Sequence, residues 1–334
     1  MPKQKIIFRV DGNSEIGLGH ISRCCALADM LKDDFEIYFY TRANAQPVIK
    51  NIKQYSTEVV KLNNNISYNE EAAEWISVLE GNEIVVLDGY NFDTPYQQKI
   101  KEKGCKLVCI DDIHAYHFIA DAVINHAPGI NEKDYSTESY TQLYLGTDYA
   151  LLKKIFLEEA LKEHKSFNLK ESPVLICFGG ADANNITKEV LEKTMQLFPG
   201  KKINVVVGPA YIHLDGLRRI IREQQHVSLY INVKPEDMLA LMQHSGIAIT
   251  AASTIALEYI CVKGNLFLKQ TADNQKYLYN SLIEKKCANS YGLLKDKYNC
   301  DEIIDNQYKL IDGKSNLRLQ KIFNNLSEIH SSKN

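Results

Sequence analysis

No block of like charge appears anywhere in the 334 residues: 39 basic side chains stand against 42 acidic ones, for a formal net charge of -3. Such a balance supplies no polyanion-binding face, and the 19 tyrosines are too dispersed to stack nucleobases, so nothing points to a nucleic-acid partner. The eight cysteines, at 24, 25, 105, 109, 177, 261, 287 and 300, lack zinc-site spacing and fall mostly within apolar segments. They read as reduced, buried residues, and no metal is expected. The N-terminal apolar run is only Ile6-Ile7-Phe8 before Arg9, too short for a signal peptide or a membrane span. A cytoplasmic protein without stable membrane insertion is the expectation. There is no low-complexity tract and no short internal repeat.

Two nucleotide-binding signatures are also missing. After Gly17 and Gly19, the third glycine of a dinucleotide fingerprint would fall at position 22, which is Ser22. No Walker A lysine follows a glycine-rich loop either, so no dinucleotide cofactor or P-loop kinase is encoded, and no cofactor is expected.

What is present is alternation. Lys5–Val10, Phe35–Tyr40, Glu83–Leu87 and Lys106–Ile110 read as strands, separated by helical periodicity over 21–31, 69–80 and 95–103. Near-continuous apolar strands alternating with amphipathic helices argue for parallel β-α-β units buried on both faces. The pattern degrades from about 126 to 170 and restarts with strands at 173–178, 203–207 and 246–250 and helices at 185–197, 214–222, 235–244 and 254–262. The spacing predicts an α/β protein of two doubly wound, Rossmann-like domains facing across a cleft: 1–150, a connection at 151–170, 171–300, and a closing helix in 301–334 that packs back on the first domain.

In such folds ligands bind beyond the carboxyl ends of the strands. The first domain offers Asp11 with the Gly17/Gly19/His20 loop, then Asp88-Gly89-Tyr90 and Asp111-Asp112. The second offers Gly179-Gly180-Ala181-Asp182, Gly208-Pro209, Ala251-Ala252-Ser253-Thr254 leading to Glu258, and Asp273-Asn274-Gln275. Small residues before a helix at 251–254 expose N–H groups to phosphate oxygens, and Ser253 and Thr254 add hydroxyl donors. Glu258, one turn on, faces the same way and can accept from both hydroxyls of a ribose. Each element alone is equally an ordinary turn glycine or helix cap; their recurrence at successive strand ends favours a nucleotide diphosphate site.

His20, at the mouth of the first loop, is either a base for water or an incidental residue of a capped helix. Asp111-Asp112 with His114 and His117 reads as a strand-end turn in preference to a metal site. His126 after Asn125 lies near the cleft or in a loop. His213, His226 and His244 read as surface residues, and Trp75 as core or domain packing.

The Arg9-Val10-Asp11 start, the Ile16-Gly17-x-Gly19-His20-x-x-Arg23 loop, Asp88-Gly89-Tyr90, Gly179-Gly180-x-Asp182, and Glu258 with Asn274-Gln275 resemble the UDP-2,4-diacetamido-2,4,6-trideoxy-β-L-altropyranose hydrolases of pseudaminic acid biosynthesis. The resemblance runs in order from about residue 5 to 290, and its second-domain part is shared with MurG-like glycosyltransferases. It implies a GT-B enzyme that cleaves the glycosyl C–O bond of a UDP-sugar with water as acceptor, inverting the anomeric carbon without a metal. It also implies His20 as general base, Tyr90 lining the sugar site, and Asp11 and Asp88 orienting sugar or water. Glu258 would hold the uridine ribose, with Asn274 near the sugar-diphosphate end. Gly17, Gly19, Arg23, Asn125, Gly179, Gly180, Ser253, Thr254 and Gln275 complete the expected substrate-binding set. The chain departs from the pattern at Lys153-Lys154, where an arginine is usual, and at Gly89, where a bulkier polar residue occurs. Two rivals stand beside hydrolysis: transfer of the sugar from UDP to a carbohydrate or lipid acceptor, and non-catalytic binding of a sugar nucleotide.

Overall fold

The computed structural model describes residues 3–13, 17–163, 167–169, 171–294 and 301–331. The chain divides into two units, each a parallel sheet flanked by helices. Unit 1 comprises Met1–Gly12, His20–Leu151 and Lys314–Asn334; unit 2 comprises Asn13–Gly19 and Leu152–Gly313.

Unit 1 holds β1 (Lys5–Val10), β2 (Glu36–Thr41), β3 (Glu58–Lys61), β4 (Ile84–Asp88), β5 (Lys106–Ile110), β6 (His117–Phe118), β7 (Ala122–Asn125), β8 (Ser136–Thr137) and β9 (Gln142–Leu145). Seven of them form one sheet in the order β3-β2-β1-β4-β5-β7-β9, and β6 pairs with β8. Every pairing in the large sheet is parallel, with β1 central and bonded to β2 and β4. All carboxyl ends therefore lie along one edge, which carries in spatial order Asp11, Asp88, Asp111-Asp112 and Asn125-His126. β4 is buried at all five positions, as its continuous apolar run predicts.

One face of this sheet packs Ile7, Val85, Leu87 and Leu107 against Trp75, Phe92, Tyr96 and Ile100. Trp75 is a core residue: its indole N–H donates to the Tyr96 hydroxyl at 2.8 Å. The helix Ser315–Ser331 returns to unit 1, where the Ser315 hydroxyl donates to the carbonyl of Ala150 and the Gln320 amide to that of Met30.

Unit 2 holds β10 (Val174–Cys177), β11 (Ile203–Val207), β12 (Val227–Ile231), β13 (Ile247–Ala251), β14 (Asn265–Lys269) and β15 (Asn289–Ser290). They pair in parallel in the order β12-β11-β10-β13-β14-β15. Its core joins Val174, Ile176, Val205, Ile249 and Phe267 to Val190, Leu191 and Leu217 of the covering helices. Among the described residues, no helix is long and apolar enough to cross a membrane.

Candidate active site

The glycine loop ends where a helix begins. Gly17 has φ +80°, a left-handed conformation that other residues adopt only at a cost, and the helix Gly19–Leu31 starts two residues later. Ser14, Glu15 and Ile16, the middle of the loop, lie outside the described residues. On the first turn of that helix His20 and Arg23, three residues apart, share a face and turn together to the end of β4.

There Asp88 is completely buried and serves both. His20 Nδ1 lies 2.6 Å from Asp88 Oδ1, while Arg23 donates from Nε to Oδ2 at 2.7 Å and from Nη2 to Oδ1 at 2.6 Å. Burial opposes the charge of Asp88, but Arg23 and His20 outweigh it and hold the carboxyl far below its ordinary range. An ionised carboxylate has no proton to give, so the hydrogen of the 2.6 Å contact belongs to His20 Nδ1. The neutral ring then carries its lone pair on Nε2. Tyr90 packs edge-on against the same ring, centroids 4.8 Å apart at 83°.

Asp112, at the strand end next to that of Asp88, completes the group. Its Oδ2 accepts from Arg23 Nη1 at 3.1 Å and from the Tyr90 hydroxyl at 3.5 Å, whereas its buried Oδ1 has no hydrogen-bond partner among the described residues. The available signal was position: Asp112 follows β5, next to β4 in the sheet.

Several residues expected to bind substrate have partners within the protein. Arg23 is 5% exposed and bound to two carboxylates, and Asp88 is wholly enclosed and holds both Arg23 and His20. Asn125 has no exposed surface; its amide donates to the Tyr135 hydroxyl at 2.9 Å and its Oδ1 accepts from the Ala127 N–H at 2.9 Å. Asp11 is fixed on both oxygens, by Arg9 at 2.7 Å and the Arg42 N–H at 2.7 Å on Oδ1, and by the Tyr68 hydroxyl at 3.0 Å on Oδ2. Burial works against its charge, yet these partners keep its pKa lowered. That geometry makes Asp11 a fixed negative charge and not a proton carrier. Behind it, buried Arg9 grips Glu71 through two bonds of 2.7 and 2.9 Å, so the charges at this end of β1 are paired and hydrogen-bonded.

Hydrogen bonds hold the turn beyond β5: Asp111 Oδ2 accepts from the His114 N–H and the Tyr135 hydroxyl, both at 2.9 Å, and His117 turns to Ser136 and Glu138. Among the described residues no three His, Cys, Asp or Glu side chains stand together as a metal site. His126 is 7% exposed, and its Nδ1 accepts from the Leu151 N–H at 3.1 Å. Burial pushes its pKa down to about 4, with Arg23 acting the same way against Asp112 and Asp88.

In unit 2, β13 leads into the helix Thr254–Val262 with Ser253 at its N-cap in extended backbone. The hydroxyls of Ser253 and Thr254, both half-buried, make no hydrogen bond among the described residues. Glu258, one turn along, is 8% exposed, and burial pushes its pKa up to about 7 against the charge of Lys153. Its carboxyl has no hydrogen-bond partner among the described residues. The two glycines after β10 differ in purpose. Gly179, at φ +86°, faces open space, whereas a Cβ on Gly180 would stand 3.1 Å from the Leu18 side chain. Gly180 is thus small for the protein's own packing before any ligand's. Asn274 is exposed; Gln275 instead closes its own loop, its Oε1 accepting from the Thr271 N–H at 2.8 Å.

No protein-family model matches the chain. An uncharacterized protein of Methanocaldococcus jannaschii is 27% identical over 309 residues, 89% of this chain, which spans 62% of that longer protein. The UDP-2,4-diacetamido-2,4,6-trideoxy-beta-L-altropyranose hydrolase of Campylobacter jejuni is 27% identical over 287 residues, 84% of this chain and 97% of that protein. Among solved structures, MnaA of S. aureus bound to UDP superposes with TM-score 0.61 at 10% identity over 97% of each chain. MurG of Acinetobacter baumannii does so with TM-score 0.55 at 12% identity over 95% of each. At such identities the structural likeness speaks for the fold, which is GT-B. In sequence, then, the chain resembles the altropyranose hydrolase, and in fold it resembles MurG and the other GT-B enzymes.

Proposed function

We propose that the chain hydrolyses a UDP-linked amino-deoxy sugar, UDP-2,4-diacetamido-2,4,6-trideoxy-β-L-altropyranose or a near relative, to UDP and free sugar. The observation that carries this reading is the 2.6 Å contact of His20 Nδ1 with buried Asp88, which leaves Nε2 as a proton acceptor of fixed orientation. The 27% identity to the Campylobacter hydrolase supports the choice of substrate.

In the proposed reaction, His20 Nε2 takes a proton from water as the oxygen attacks the anomeric carbon. The C–O bond to the β-phosphate's glycosyl oxygen breaks, and its electron pair leaves with UDP. A single displacement inverts the anomeric centre. The imidazolium formed is stabilised by Asp88, much as a catalytic aspartate stabilises the histidine of a triad. A positioned base of this type contributes roughly 10²–10⁴-fold. The N-terminus of the helix Thr254–Val262, with the hydroxyls of Ser253 and Thr254, supports a role in binding the diphosphate, and the unpartnered Glu258 carboxyl a role on the ribose. UDP is a good leaving group, so this reading requires no metal ion and no cofactor.

Purified protein incubated with a panel of UDP-sugars and EDTA, followed by NMR, tests it. Free sugar appearing first as the inverted anomer, with no added acceptor, is the expected result. Release of UDP only when a carbohydrate or lipid acceptor is supplied would replace hydrolysis by transfer, and binding without turnover of any sugar nucleotide would replace it by a binding protein.

A further inference from the structure

We propose that His126 is a second working ring of this site, donating a fixed hydrogen bond from Nε2–H to an acceptor oxygen on the sugar of the substrate. The argument starts from its one hydrogen bond. A ring nitrogen that accepts a backbone N–H carries no proton, so with Leu151 N–H on Nδ1 at 3.1 Å the proton of the neutral ring must sit on Nε2. That N–H has no partner among the described residues, although the residue is only 7% exposed. Nε2 is not among the fully buried atoms left without a partner, so this N–H reaches the protein surface, where a ligand oxygen can take the place of water on it. The ring stays neutral well below pH 6, burial having lowered its pKa to about 4.

Its place in the sheet links it to His20. β4, β5 and β7 are consecutive neighbours, and their carboxyl ends carry Asp88, Asp112 and Asn125-His126. The charges of Arg23, Asp112 and Asp88 all act on the His126 ring, and the same Arg23 and Asp88 lie 3.0 and 2.6 Å from His20 Nδ1. The two histidines are thereby held in opposite tautomers. His20 offers a lone pair at Nε2 and takes a proton; His126 offers an N–H at Nε2 and keeps its own. Beside them Asp112 Oδ1 is a buried acceptor without a partner among the described residues, a second sign that this edge is complete only with a ligand. A sugar hydroxyl and the carbonyl of an N-acyl substituent both present the required oxygen.

This inference rests on the proposed binding of a sugar nucleotide, and the test separates the two. Protein labelled with ¹⁵N-histidine in the His20→Asn background, which by that proposal binds without turnover, is followed by long-range ¹H–¹⁵N spectra from pH 6 to 8. The His126 signals are identified by their loss in a His126→Asn variant. The Nε2–H tautomer throughout, with its proton moving downfield on saturation with the diacetamido sugar nucleotide but not with UDP, is expected. An Nδ1–H tautomer, or a proton unmoved by a bound sugar nucleotide, overturns the proposal. In the wild-type background, His126→Asn keeps an acceptor near Nδ1 and loses the distal N–H, whereas His126→Gln restores one. We expect kcat/KM to fall roughly 10- to 100-fold in His126→Asn with UDP affinity unchanged, and to recover in part in His126→Gln. Wild-type kcat/KM in His126→Asn overturns the proposal while leaving hydrolysis intact. Absence of turnover in the wild type removes the hydrolase reading, and the spectra still decide the role of His126. A larger defect on UDP-N-acetylglucosamine than on UDP-glucose assigns the oxygen to the acyl carbonyl; equal defects assign it to a hydroxyl.

Discussion

Replacing Glu258 by glutamine separates the cost of a buried carboxylate from its use. Glu258 is 8% exposed, and its pKa is raised from 4.5 to about 7 because burial penalises the charged form more than Lys153 relieves it. Between those values the folded chain binds more protons than the unfolded one, so stability falls as pH rises through the window. At 1.36 kcal/mol for each tenfold change in proton affinity, the ionised carboxylate costs the fold about 3 kcal/mol at pH 8 and almost nothing at pH 4.5. Glutamine has the same shape and no charge to desolvate. Urea unfolding of the two proteins should show a variant more stable by only about 1 kcal/mol at pH 5 and by about 3 kcal/mol at pH 8. UDP affinity should move the other way, falling at pH 8 where the carboxylate would accept from the ribose. A stability difference that is flat from pH 5 to 8 would refute the argument, because it would mean that Glu258 titrates as an exposed carboxyl does.

Asp88→Asn should lower kcat by two orders of magnitude or more, since the amide no longer fixes the Nδ1–H tautomer of His20; about 10⁴-fold is the loss in the comparable triad substitution. It also leaves Arg23 with Asp112 as its remaining counter-charge, at a cost of up to about 3 kcal/mol, so the rate is to be measured well below the shifted Tm, and a near wild-type kcat there would count against the role given to Asp88. Gly208→Ala should destabilise unit 2, because its Cβ would stand 2.4 Å from Gly180 Cα and 2.5 Å from the Gly180 carbonyl oxygen, backbone atoms that cannot step aside cheaply. A thermal melt unchanged by this substitution would contradict the close approach of those two turns.

The strands and helices that the sequence made legible are those whose neighbours bury them completely. β4 is apolar at every position but its last, and the helix Thr254–Val262 is buried from Ile255 onward, so pattern and environment agree. β9 was not foreseen: Gln142–Leu145 is an edge strand with no buried position, and the chain from β7 to β9 passes through no α-helix, so neither apolar continuity nor β-α-β alternation marks it. At the site, the glycine loop and His20 were visible because their signal is local. The true partners of Asp88, Arg23 and Asn125 were not. Arg23 meets Asp88 across 65 residues and Asp112 across 89, and nothing in either segment alone tells a support from a ligand contact. The strand-end positions of these carboxylates are readable in the sequence; their burial and partners are not, because composition and spacing do not carry them.

The assignment of His20 to water is tested most directly by hydrolysing the diacetamido UDP-sugar in ¹⁸O-water with EDTA present, using the wild-type protein and His20→Asn side by side. Label in the free sugar, none in UDP, and loss of turnover in His20→Asn with UDP binding retained is the predicted result. Label in UDP, or undiminished turnover without His20, would contradict attack at the anomeric carbon by water that this histidine activates.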